Sequence, residues 1–72
     1  MQVANRLWRM DSDSLAAYVE DREVITKIRR SYPDFTEMAR YYREGSLIAI
    51  QYRVPSKRKR SARNLLGVNV DR

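Results

Sequence analysis

Apolar residues along the chain fall into groups set apart by polar and turn-forming stretches. The first holds Val3, Leu7, Trp8 and Met10 among polar neighbours, and reads as a short strand or an entry segment that packs Trp8 on the body. The second holds Leu15, Ala16, Tyr18, Val19, Val24, Ile25, Ile28 and Tyr32, with recurring spacings of three and four, as on one helix face. Asp11-Ser12-Asp13-Ser14 precedes it, and their side-chain oxygens suit the unpaired amides of a helix start. Glu23 and Lys27 add a favourable i,i+4 pair. No Gly or Pro interrupts the segment, so one helix over about 12–31 is preferred. The alternative is a break at Glu20-Asp21-Arg22-Glu23, with Asp21 capping a separate helix.

Pro33 ends that helix, because the residue before a proline is pushed out of helical geometry. Asp34 with Glu37 three positions on resembles a capping box. Phe35, Met38, Ala39 and Tyr42 then form a stripe, and Gly45 is a helix stop, which predicts a second helix over 34–44. From Ser46 to Val54 the pattern changes to alternation. Ile48, Ile50, Tyr52 and Val54 lie on one side and Leu47, Ala49, Gln51 and Arg53 on the other, a strand signal. A lone strand leaves its backbone groups unpaired. Within the chain the pairing candidates are Gln2–Trp8 and Leu65–Val70; otherwise a second protomer must serve. Beyond Pro55, residues 56–66 read either as a short basic helix stopped by Gly67 or as the tip of a hairpin returning along Leu65–Val70. The expected fold is a small, α-rich α+β domain. Two helices pack on each other, followed by a strand over 46–54 and a basic C-terminal helix or hairpin.

Charge sharpens this picture. The chain of 72 residues carries a net +6, yet residues 1–44 hold eight basic and eight acidic side chains and sum to zero. The excess lies in the last part of the chain, with Arg53, Lys57, Arg58, Lys59, Arg60, Arg63 and Arg72 against Asp71. Within a single domain, residues 1–54 thus form a neutral body and 55–72 a basic contact element. Five cations between Lys57 and Arg63 are enough to neutralise several phosphates and release their counterions. Arg40 and Arg43, with Tyr41 between them on the outer face of the second helix, are further candidates for groove contact. Arg29 and Arg30 are explained by the helix C-terminus they would follow. Tyr41, Tyr42 and Tyr52 raise the possibility of base stacking, but Tyr42 and Tyr52 fall on expected core faces, where packing is the simpler account.

Catalytic chemistry finds little support. There is no Cys and no His, so thiolate nucleophiles, zinc fingers and the commonest general base are missing. Asp11 and Asp13 resemble the first ligands of a calcium loop, but Ala16 and Arg22 stand where its Gly and Glu belong. Glu20 and Glu23 read as a solvated helix face. No cofactor or metal is expected, and no enzyme. No apolar run approaches a membrane span and no secretory leader is visible, which points to an intracellular protein, cytoplasmic or nuclear.

The passage Arg43-Glu44-Gly45-Ser46-Leu47, with Ala49 and Arg53-Val54-Pro55 after it, resembles the helix-to-wing segment of excisionase and MerR-type DNA-binding domains. It covers residues 43–55 only, and Ser46–Val54 is too short for both strands of a wing, so the family is not assigned. The resulting expectation is a non-enzymatic nucleic-acid-binding protein, a DNA-binding regulator or accessory factor. Lys57, Arg58, Lys59, Arg60, Arg63, Arg53, Arg40 and Arg43 are its contact residues, duplex DNA is favoured over RNA, and a homodimer is expected. The alternative is a protein-interaction module, a small inhibitor or adaptor that docks by β-addition along Leu47–Val54.

Overall fold

The computed structural model of the chain describes residues 4–70. Val3 and part of the pairing candidate Gln2–Trp8 lie outside them, as do Asp71 and Arg72. Four strands, β1 (Arg6–Arg9), β2 (Ser14–Val19), β3 (Thr36–Arg43) and β4 (Ser46–Pro55), form one antiparallel sheet in the order β1-β2-β4-β3. Two helices, α1 (Arg22–Ser31) and α2 (Lys59–Leu66), cover one face of it. Strand outweighs helix, 42% to 31%, so the expectation of an α-rich fold built on two packed helices is overturned. Each helix packs on the sheet and not on the other.

β4 was expected as a strand and is one, but its neighbours were both expected to be helices. It pairs with β2 from Ser14↔Pro55 to Val19↔Ile50, and with β3 from Thr36↔Arg53 to Arg43↔Ser46. The former 12–31 helix divides into β2 and α1. In β2, Leu15, Ala17 and Val19 face the core, while Ala16 and Tyr18 face the other way. Asp21 caps α1, its carboxylate accepting the Glu23 amide at 2.9 Å, and Val24, Ile25 and Ile28 form the buried stripe. Asp11, read as a helix-start residue, instead closes the β1–β2 loop by accepting the Asp13 amide at 2.9 Å.

The former 34–44 helix is β3. Pro33-Asp34 occupy the centre of a turn closed by the Phe35 amide to the Tyr32 carbonyl at 3.1 Å. Glu44 and Gly45 have φ of 51° and 80° and make the two-residue loop of a β-hairpin, whose backbone twist suits the strands on either side. Gly45 does adopt the left-handed conformation, but to reverse a strand. The register shifts at Met38 and again beside Ile48, and the second shift restores the pairing set by the turn. The helix-to-wing resemblance therefore falls on a hairpin.

β4 is hydrogen-bonded along both edges, so docking by β-addition along Leu47–Val54 is not available. The unpaired-strand argument for a homodimer is likewise met inside the chain. Of the two readings of 56–66, the helix is correct. A 3-10 turn, Ser56–Arg58, leads into α2, and Gly67 at φ 70° ends it with its amide on the Arg63 carbonyl at 2.9 Å. Ala62 and Leu66 enter the same core as Leu7, Leu15, Val19, Ile50 and Val54. Asn5 locks the layers together, accepting the Glu20 amide at 3.0 Å and donating to the Leu66 carbonyl at 3.3 Å.

An added methyl at Gly45 meets nothing within 4 Å, so the cost of Gly45→Ala is the backbone conformation alone. Urea unfolding should show the variant destabilised by about 1 kcal/mol. Glu44→Asn, which suits the left-handed region better, should raise the midpoint.

Candidate nucleic-acid interface

The fold sorts charge by layer. α1 carries Arg22, Lys27, Arg29 and Arg30 against Glu23, and the 3-10 turn with α2 carries Lys57, Arg58, Lys59, Arg60 and Arg63 against no acid. The helical elements thus hold nine cations and one anion, a net +8, and the rest of the chain sums to −2 to give the total of +6. The acids that cancelled the charge of residues 1–44 along the sequence sit mostly in loops: Asp11, Asp13, Glu20, Asp21, Asp34 and Glu44. Arg29 and Arg30 lie in the last turn of α1, where they complement its negative end.

The eight sequence-derived candidates are divided by this arrangement. Lys57, Lys59, Arg60 and Arg63 are exposed on the helix side. Arg60 and Arg63, three residues apart, line one flank of α2, and Lys59 stands exposed at its first position. Arg63 also donates to Asn69 Oδ1 at 2.8 Å. Arg58 is committed elsewhere, its Nε donating to Asp34 Oδ2 at 2.8 Å and tying the basic element to the α1–β3 turn. Arg40, expected on an outward helix face, lies on edge strand β3, where it grips Glu37 with two hydrogen bonds. Arg43 is also on β3, and the groove-entering helix on which both were placed does not exist. Arg53 lies on the opposite face of the sheet from the helices, donating to Ser14 Oγ at 2.8 Å with Asp11 3.5 Å away.

Among the described residues that opposite face has no covering layer, and it carries residues the sequence reading did not bring together. The register aligns Trp8, Ala16, Arg53 and Thr36 in one row across the four strands, and Arg6, Tyr18, Gln51 and Ala39 in the next. Tyr41 stands opposite Ala49 one row further on. Tyr18 and Tyr41 lean over β4 until their ring centroids are 5.6 Å apart, and Tyr41 donates to Gln51 Oε1 at 2.9 Å. The Arg6 guanidinium lies 6.0 Å from the Trp8 ring centre. Tyr52 is buried as expected, whereas Tyr42, also placed in the core, is 57% exposed. The alternation Arg6/Trp8 and Ala16/Tyr18 was the available signal, but only the strand register shows that these positions share a face.

The Arg58 guanidinium holds the Asp34 carboxyl below its ordinary range, and Arg40 does the same to Glu37. A carboxyl lowered in the folded state stabilises above its unfolded value of about 4, and that contribution is lost as pH falls further. Arg58→Met should therefore melt below the parent protein at pH 7, with the gap closing below about pH 4. Lys59→Met, which removes no ion pair, should show no such pH-dependent gap in the same thermal series.

No protein family, curated protein or solved structure matches the chain.

Proposed function

We propose that this is a non-enzymatic nucleic-acid-binding protein, a regulator or accessory factor, that holds the phosphate backbone of duplex DNA through its helix layer. The observation that carries this reading is the concentration of nine cations against one anion on the two helices and the 3-10 turn. Concentrated positive charge on one side of a small domain attracts a polyanion and gains entropy by releasing its counterions. Lys57, Lys59, Arg60 and Arg63 are the primary phosphate contacts, joined by Arg22, Lys27 and Arg30 on α1. Arg58 serves the site indirectly by fixing the basic element on Asp34. Helix geometry favours DNA over duplex RNA, because the B-form major groove admits an α-helix and the A-form one does not.

Binding to random-sequence duplex DNA should weaken with salt at a slope of about −5 in log affinity against log salt, the value for five to six neutralised phosphates. Changing Lys57, Lys59, Arg60 and Arg63 together to Gln should flatten that slope by about 3 to 4 while the melting temperature stays near that of the parent. Affinity and slope unchanged in that variant, or no binding at low salt, would sink the proposal.

A further inference from the structure

We infer that the uncovered face of the sheet is a second binding surface, one that stacks the bases of single-stranded nucleic acid on Trp8, Tyr18 and Tyr41. This goes beyond the phosphate-binding reading and does not depend on it, since the cations of the helices lie on the other side of the sheet. Three features of the face carry the inference.

The rings come first. Trp8 on β1, Tyr18 on β2 and Tyr41 on β3 occupy successive rows, so they run obliquely across the sheet. Successive rows are two residues apart along a strand, about 6.8 Å. Tyr41 is 39% exposed, and Trp8 and Tyr18 are partly so. Aromatic faces presented on an antiparallel sheet stack bases irrespective of sequence, because every base has a π-face.

Small residues lie between and beneath the rings. Ala16 and Ala49 are fully buried although no helix covers this side. Ala16 sits beside Trp8 in its row and Ala49 opposite Tyr41. Their short side chains let the rings lie low over the sheet and leave no bulky aliphatic group to obstruct a flat ligand.

Charge is the third feature. The strand positions named on this face include Arg6 and Arg53 and no acid, which complements a phosphate chain passing over the rings. Asp11 at Arg53 and Glu20 at the Tyr18 hydroxyl approach from the loop ends of the strands. Gln51, midway between the tyrosines, offers an amide to base edges. An oligonucleotide meets both the rings and the positive charge of this face, which a purely apolar occupant would not.

Trp8 is the sole tryptophan, so the full-length protein carries its own reporter on the face in question. Its emission should fall as a twelve-nucleotide oligo(dT) or oligo(U) is added and level off at saturation, with a matched duplex leaving it unchanged. Comparing oligo(U) with oligo(dU), which differ only at the 2′ position, identifies the preferred sugar. Tyr41→Leu should weaken single-strand binding about tenfold, the contribution of one stacked base, with duplex affinity unaltered and a lower melting temperature from loss of the ring contact with Tyr18. Replacing Lys57, Lys59, Arg60 and Arg63 with Gln should leave the Trp8 signal at saturation intact. If anisotropy shows single strands bound while Trp8 emission stays constant, the stacking surface is refuted and the phosphate reading stands. Loss of duplex binding in the Gln variant with the Trp8 response retained supports the stacking surface independently. Failure to bind any single strand, no effect of Tyr41→Leu, or Trp8 emission that changes with protein concentration alone would each overturn it, the last because a second copy would then occupy the face.

Discussion

The fold depends on satisfying the backbone of β4. Ten residues from Ser46 to Pro55 run through the middle of a short chain, and each non-proline residue brings one donor and one acceptor that cannot be buried unpaired. The alternation of Ile50, Tyr52 and Val54 with Ala49, Gln51 and Arg53 commits one side of this strand to a core. Both its edges must then be filled. The Glu44-Gly45 turn brings β3 to one edge directly, and α1 is the crossover that joins β3 to β2 at the other. β1 is added last, on the outside of β2, and the helices seal the face bearing Leu7, Leu15, Val19 and Ile50.

Once β4 is central the molecule has two unlike sides. Helices on one side present the polar residues of their outer stripes, and in this chain those are overwhelmingly Lys and Arg. On the other side, among the described residues, the sheet is covered only by its own side chains. Several acidic residues stand where the backbone needs acceptors, as Asp21 at the start of α1, Asp11 in the β1–β2 loop and Glu20 beside Ala4. Local capping chemistry thus accounts for part of the separation, drawing acids to loops and away from the helix surfaces.

The same reasoning explains which features were legible in the sequence. β4 was visible because strict alternation survives averaging. α2 was legible only as one of two alternatives: Ala62, Leu65 and Leu66 keep helical spacing up to Gly67, but three cations in its expected first turn left a hairpin tip open as well. β2 was hidden because Ala16 and Tyr18, on the uncovered side, are also apolar and fill in the spacings of a helix. In β3 the run Glu37-Met38-Ala39-Arg40 favours a helix locally, and the register shift at Met38 breaks the alternation that would have identified a strand. Its conformation comes from pairing with β4, a tertiary effect that propensity does not contain. The basic run at 57–63 was fully legible as a candidate site. The cations of α1 were not, because a sum over residues 1–44 cancels charges that the fold separates in space.

Ala49 shows how closely stability and recognition are joined on the uncovered face. It has no solvent exposure because the Tyr18 and Tyr41 rings close over β4, and the pair is tilted by 54° instead of stacked flat. A tilted pair leaves one face of each ring without an aromatic neighbour, while the contact between the rings shields the alanine below. The rings thus serve the fold as a cover and still retain π-surface that water satisfies poorly. A chain too small for a third layer has few other ways to protect this side of its sheet. Any side chain at 49 larger than alanine would lift the rings and weaken both roles together, so the two are built on the same contact.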